Sequence, residues 1–341
     1  MLIGIIAIII FLSIFVLIHE LGHFLLAKKF GLLVEEFGFG LPPRVWGKKI
    51  GETIYSINAL PFGGFVKIYG ENREEESQKD ASRSFGLLPI GKRAMIISAG
   101  VLMNFLLGWL VISIVLNIGI PQAILITDVA QNSPAAEVGL IASDKILGFS
   151  KADEFIKYID EYRGENVVLK IERGGKEMEI QAVPRINPPA GQGALGVALT
   201  EVNLPKQNFL SSIWEGLKTS LSIVGTIFAA IFRLIQSALI GKASLETISG
   251  PVGIVKITAQ AGSLGFIYLL QLLALISLNL VVINIFPFPA LDGGRLLFLL
   301  IEKIKGSPLP AKFERYANTA GMALLLFLMA VITIKDIMGI I

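Results

Sequence analysis

The sequence predicts a multi-pass α-helical membrane protein with about four transmembrane helices, a membrane-associated β-hairpin and an inserted soluble α+β domain. Three observations carry that prediction. First, 53% of the 341 residues are hydrophobic and only 17% are charged, at a mean hydropathy of +0.70; a soluble domain of this length carries roughly 25% charge. Second, long apolar runs recur along the chain. Third, an acidic island with short strand patterns interrupts them. The net charge of +3 is too small to argue for nucleic acid as a partner, and no basic patch interleaved with aromatics stands out. Cysteine is absent, which excludes disulfides and thiolate metal sites.

Four runs supply the ~20 apolar residues needed to cross a hydrocarbon core about 30 Å thick. They are residues 2–26, 94–118, 266–287 and 318–339. The first has no Lys or Arg before Lys28 and no small-x-small cleavage site, so it reads as a retained span and not as a secretory signal. A fifth apolar segment, 209–240, is ambiguous. It contains Trp214, Glu215, Lys218 and Arg233, which suits an amphipathic helix lying along the interface.

Residues 28–93 are polar and strand-like. In "GETIYSINALPFGGFVKIYG" the alternation, with Pro61, Gly63 and Gly64 in the middle, predicts a β-hairpin at about 50–70. Residues 71–84 are charged and expected to form a loop. The island contains "AILITDV", "NVVLKIER" and "KEMEIQAV" as strands and "NSPAAEVGL" as a short helix entered from a turn. That is enough for one domain of ~85 residues, placed at 119–205. Lys28, Lys29, Arg44, Lys48, Lys49, Lys92 and Arg93, with Arg295, Lys303 and Lys305, put their loops on the cytoplasmic side by the positive-inside rule. The island and the N-terminus then lie outside.

The chemistry begins at "HELGH". It spells H-E-x-x-H with His19, Glu20 and His23, and these are the two histidines of the whole chain. On a helix, i and i+4 share a face, so both imidazoles can bind one ion. Glu20 stands next to the first of them, where it can take a proton from a polarised water. Zinc suits imidazole nitrogen in a tetrahedral site with one open position. The alternative is a pair of buried structural histidines, but charged groups in a span cost at least ~2.5–3.5 kcal/mol each on insertion scales and are seldom idle. A two-histidine catalytic zinc needs a third ligand, usually a carboxylate. "NIFPFPALDGGR" offers Asp292, with Pro287 and Pro289 breaking the helix before it and Asn284 one or two turns earlier. Both motifs end their spans. They meet only if an odd number of crossings separates them, so the segment 209–240 is expected not to traverse the bilayer.

"HELGH", "PFGGFVK" at 61–67, "SAGVLMNF" at 98–105, "SGPVGI" at 249–254 and "NIFPFPALDGGR" at 284–295 occur in the order seen in site-2 proteases. The chain resembles the bacterial zinc intramembrane metalloproteases of the RseP/RasP type. The resemblance implies that His19, His23 and Asp292 bind Zn2+ and that Glu20 is the general base. It assigns Asn104, Asn284 and the hairpin residues Gly63, Gly64 and Phe65 to substrate binding, the hairpin offering an edge to an unwound substrate helix. Gly100-Val101 stands where the family usually has Gly-Pro. The island resembles a single PDZ domain, extracytoplasmic, with Ser143 where glycine is common. Gly193–Val197, "GALGV", is its candidate loop for a peptide C-terminus; a size filter is the other reading. Residues 206–262 resemble membrane-skirting helices, and 263–341 complete the membrane part begun by 1–118.

The implied function is a zinc-dependent intramembrane endopeptidase of the inner membrane, its active site toward the cytoplasm. Its expected substrates are transmembrane proteins such as anti-sigma factors or remnant signal peptides. A non-catalytic PDZ adaptor is the alternative, though it would not need Glu20. A transporter would be expected to show inverted repeats, and none is found.

Overall fold

The computed structural model describes residues 2–71, 82–242 and 249–339. Most of the charged segment 71–84 therefore lies outside the described residues. The chain folds as two compact units. One comprises Met1–Leu110, Leu217–Val255 and Leu273–Ile341; the other comprises Val111–Gly216 and Lys256–Leu272.

In the first unit, α1 (Leu2–Lys29) is a helix of apolar residues with Lys28 and Lys29 in its last turn, where cations complement the helix dipole. The hairpin follows as β1 (Val34–Ile50) and β2 (Thr53–Ile68). Here the structure departs from the sequence reading. The turn is at Gly51–Glu52, with Gly51 at φ +64°, and Pro61–Gly64 lie within β2. Both strands fold back on themselves, which the alternation pattern does not reveal. Residues 36–39 pair with 64–67 in antiparallel register and also with 54–57, whose numbering rises in step with theirs. Residues 44–50 pair with 53–58. Gly40, at φ +80°, allows the fold in β1; a Cβ there would lie 2.6 Å from the Leu60 carbonyl oxygen. Segment 64–68 is thus an edge, and no strand pairs with its other side among the described residues.

Phe24 of α1 meets Phe37 and Tyr55 edge-on, at 5.3 and 6.1 Å between ring centroids. A buried cluster of Ala27, Leu32, Val34, Ile68, Phe85, Ile96, Ile97 and Leu299 then joins α1, the hairpin, α2 (Ile90–Ile118) and α8 (Asp292–Lys305). Arg93 at the start of α2 forms a buried ion pair with Glu302 of α8.

In the second unit, β3 (Ile120–Val129), β4 (Lys145–Ile146), β5 (Val167–Arg173), β6 (Lys176–Ala182) and β7 (Val197–Leu204) form one sheet in the order β6-β5-β4-β3-β7. Helices α3 (Pro134–Glu137) and α4 (Ala152–Glu161) accompany it. Ser133 caps α3 by accepting from the Ala136 N–H, with Pro134 at the first helical position. Ile124, Ile126, Phe155, Ile159, Leu169, Ile171 and Leu195 fill the core. Asp144 is fully buried and accepts from Arg173 Nε and Nη2, both at 2.6 Å, and from the Ile141 N–H at 2.9 Å.

Five helices are long and apolar enough to cross a membrane among the described residues: Ile9–Lys29, α2, α5 (Phe209–Leu239), α7 (Phe266–Ile285) and α9 (Ala311–Met338). The ambiguous segment is one unbroken helix, α5, of 31 residues. It exposes Leu210, Trp214, Leu221, Phe228, Phe232 and Leu239. The shorter α6 (Pro251–Leu264) follows it.

Ser143 has φ +81°. A side chain in that left-handed region costs about 1–2 kcal/mol, partly offset by the freedom a glycine loses on folding, about 0.5–1 kcal/mol. Ser143→Gly is therefore expected to stabilise the sheet by about 0.5–1 kcal/mol. Native-state hydrogen exchange on the full chain checks this: core amides such as Ile126 and Ile171 should exchange about two- to fivefold more slowly.

Candidate metal centre

His19 and His23 stand one turn apart near the end of α1, their rings edge-on with centroids 4.8 Å apart. Asp292 reaches them from a sharp turn after α7. Pro287 and Pro289 end that helix, Ala290 takes φ +76°, and α8 starts at Asp292. The two glycines after Asp292 are sterically required. A Cβ on Gly293 would collide with the carbonyl oxygens of Ile285 and Phe286, and one on Gly294 with that of Phe288. The first turn of α8 thus folds directly onto the end of α7, which aims the carboxylate back at α1.

The result is a tight group of three. Asp292 Oδ2 lies 3.0 Å from His19 Nε2 and 3.6 Å from His23 Nε2, and the two Nε2 atoms are 3.2 Å apart. One ligand atom from each residue falls within 4.8 Å of the others. Asp292 Oδ2 is buried yet has no aligned hydrogen-bond donor. Two imidazole nitrogens and a carboxylate oxygen gathered this closely at a buried point make a candidate cation site. Two imidazoles and a carboxylate are also the donor set of an open, catalytic zinc.

Helix α2 supports the histidines from behind. His23 Nδ1 is 2.8 Å from the Ile96 carbonyl oxygen. A carbonyl only accepts, so Nδ1 carries the proton and Nε2 is left to ligate. Asn104 is buried, with its side-chain amide 3.4 Å from His19 Nδ1. Close approach of α1 and α2 depends on two glycines. A Cβ on Gly22 would collide with the Ala99 carbonyl oxygen. One on Gly100 would sit 2.5 Å from His23 Nε2 and 2.7 Å from His19 Cε1.

Of the other residues singled out in the sequence, Glu20 follows His19 and lies within electrostatic reach of both histidines and Asp292. Gly64 lies beside it: a Cβ there would be 3.4 Å from Val16 Cγ1 and 3.7 Å from Glu20 Cγ. The edge segment of the hairpin therefore runs alongside the site. Gly63, at φ +88°, faces Leu41, and the Phe65 ring covers Gly38 of its own sheet. Asn284 sits half-buried in the last turn of α7, and the described contacts do not join it to the three ligands.

Two residues near the site were not singled out. Arg295, one turn beyond Asp292, pairs with Glu71. Asn318 of α9 accepts a hydrogen bond from the Ala290 N–H at 3.0 Å. Asp292, Arg295 and Asn318 line one cavity of about 610 Å³ with Ala290, Thr319 and Met322. A charge beside "LDGG" was visible as a signal for Arg295. No local pattern marks Asn318.

Gly100→Ala is expected to push both imidazoles apart and weaken zinc binding by about 10–100-fold, the range for disturbed ligand orientation. Chelator competition measures it. Gly91→Ala, where a Cβ meets nothing within 4 Å, is the control that should bind zinc normally.

The family model described as peptidase family M50 matches residues 7–328. A putative zinc metalloprotease of Clostridium perfringens is 37% identical over 332 residues, which cover 95% of this chain and 96% of that one. The zinc metalloprotease RasP of Shouchella clausii is 31% identical, covering 95% of this chain and 96% of its own. The regulator of sigma-W protease RasP of Bacillus subtilis is 28% identical over 98% of each chain. With a match across most of its length, the chain belongs to peptidase family M50, the site-2 proteases, and is a zinc metalloprotease.

Proposed function

We propose that the chain is an intramembrane endopeptidase of the bacterial inner membrane that cuts transmembrane segments of other membrane proteins, with zinc held by His19, His23 and Asp292. The observation that carries the proposal is the convergence of those three side chains, with both imidazole Nε2 atoms 3.0 and 3.6 Å from one buried carboxylate oxygen. Zinc, when bound, supplies the Lewis acidity that polarises a peptide carbonyl and makes water acidic enough to use at neutral pH. Glu20 removes a proton from the attacking water and delivers it to the leaving amine nitrogen, so the proton balance closes on one side chain. The cavity beside Asp292, with Arg295, Asn318 and Thr319 in its wall, gives that water a polar place to wait.

A helix presents no free peptide bond, so the substrate must be extended before it is cut. The outer edge of 64–68, which no strand covers among the described residues, offers an extended backbone to such a strand, and Gly64 brings that edge next to Glu20. In this reading Gly63, Gly64, Phe65 and Asn284 serve substrate binding, and Asn104 acts on His19. The name of the Bacillus subtilis relative, a regulator of sigma-W, suggests an anti-sigma factor as one substrate; a remnant signal peptide is the other.

The chain then crosses the membrane four times, and α5 skirts it. Three contacts support this. The ends of α1 and α7 meet at one metal site, which a crossing by α5 between them would separate. The residues just before α5 are tied to the far end of α2, where the Gln207 N–H donates to the Leu116 carbonyl at 3.0 Å. Asp336 near the far end of α9 accepts from the Gly250 and Gly253 N–H groups, each at 2.8 Å. The first tie holds the start of α5 to the end of α2 remote from Ile96, and the second holds Gly250 to the end of α9 remote from Asn318. In this reading the sheet of β3–β7 is an extracytoplasmic PDZ-like domain. Its edge strand β7, entered from Gly193–Gly196, would take a peptide C-terminus.

Glu20→Gln is expected to lower cleavage of a single-span reporter by at least about 10²–10⁴-fold, the usual share of general acid–base catalysis, while zinc content stays at one per chain. Asp292→Ala is expected to lose the zinc. Cleavage by Glu20→Gln at the wild-type rate would overturn the assignment.

A further inference from the structure

We infer that Asn318 is a positioning residue for Asp292, so that the last membrane helix is a working part of the metal centre. The inference rests on Asp292 being a zinc ligand. The turn that delivers Asp292 is not stable by local rules. Ala290 sits at φ +76°, a region an alanine rarely occupies, and its N–H points away from the turn's own carbonyls. Within the turn the Phe288 N–H finds the Phe286 carbonyl at 2.7 Å, and the Leu291 N–H finds the Phe288 carbonyl at 3.2 Å. The Ala290 N–H is satisfied from outside, by Asn318 Oδ1 at 3.0 Å.

One turn further along α9, Gly321 lets the helix backbone close on the same turn. A Cβ at Gly321 would lie 2.5 Å from the Pro289 carbonyl oxygen and 2.9 Å from its Cβ. Proline has no N–H and cannot donate to hold its own place. Beyond its own hydrogen bonds, the turn is held from outside by one hydrogen bond to Ala290 and one steric seat at Pro289, both made by α9 and both within three residues of Asp292. Asn318 and Asp292 also share the wall of the same cavity. Without Asn318, Ala290 is free to return to ordinary backbone angles. That rotation propagates through Leu291 and swings the carboxylate off the two imidazoles.

The test uses the full chain in detergent, with zinc affinity read by chelator competition and site geometry read from the visible spectrum of the Co2+-substituted protein. Asn318→Leu keeps the size and removes the acceptor. It should lose about 10–100-fold in zinc affinity, as removal of an orienting partner does, and shift the cobalt spectrum. Asn318→Asp keeps an acceptor at the same reach and should stay near wild type in both readouts. Should the Leu variant not fold, Asn318→Ser, whose hydroxyl falls short of Ala290, carries the same expectation. Wild-type affinity and spectrum in Asn318→Leu would overturn the inference, and so would an equal loss in Asn318→Asp, because a packing role does not distinguish the two. Asp292→Ala separates this from the ligand assignment. If it too keeps its zinc, the reading of Asp292 fails; if it alone loses zinc, only the role of Asn318 fails.

Discussion

The membrane unit depends on bringing three lone-pair atoms to one buried point. Imidazole and carboxylate groups gather there only if backbones approach closely enough to leave no slack. Apolar contact between helices supplies little of that force, because lipid tails are as apolar as leucine. Glycine supplies it by subtraction. Gly22 and Gly100 close α1 on α2, Gly293 and Gly294 close α8 on α7, and Gly321 closes α9 on the turn between them. Each of these positions excludes a single added carbon. Five helices and one turn are therefore held to a common geometry by what five residues lack.

Polar contacts then fix the direction of each close approach. The pair of Arg93 and Glu302 ties α8, which begins with Asp292, to α2, which supports both histidines. Ser277 of α7 donates to the Asn104 carbonyl at 2.8 Å, so the helix preceding Asp292 is also fastened to the turn of α2 beside His19. Pairs like these are a poor source of net stability when buried, but breaking one partner alone is destabilising by about 3–5 kcal/mol. They fit a role in specifying one arrangement of packed helices. "SGPVGI" belongs to the same scheme. Its Gly250 and Gly253 amides are held by Asp336, and Gly250 has space for no side chain against Ile332. The motif is an acceptor-bound helix start, favourable for a carboxylate, and it joins α6 to the end of α9.

The candidate ligands stood out in the sequence because such groups are expensive in an apolar helix. His19, Glu20, His23 and Asp292 stood out for that reason, and the structure brings His19, His23 and Asp292 together. The membrane helices were legible for the same reason. The hairpin was only partly so. Alternation finds strands but cannot count the folds in them, and Gly40, at φ +80°, lets β1 fold back without breaking the pattern. Supporting residues were the least legible. Asn104 was visible by its motif, but its placement against His19 needs a second helix. Asn318 interacts with a backbone N–H 28 residues away, and nothing in its own neighbourhood distinguishes it from any other polar residue at a helix start. Periodicity carries information within an element, whereas this site is assembled between elements.

A protease that works in a bilayer has a second difficulty beyond holding its metal. Extending a substrate helix exposes backbone groups, each costing several kcal/mol when no water can meet them. A cleft alone offers no remedy. An edge strand does, because it carries the complementary row of N–H and C=O groups in the spacing an extended chain requires. The fold-back of the hairpin creates such an edge at 64–68 by giving residues 36–39 two neighbours and 64–67 one. Gly64 sets that edge against α1 at the height of Glu20. A Cβ there would touch Val16 and Glu20 at ordinary contact distance, so the strand backbone and α1 lie one side chain apart. The same economy that seats the histidines on Gly100 thus brings the proposed substrate strand within reach of the catalytic carboxylate. It explains why the sheet is packed against the first helix and is more than a link between spans.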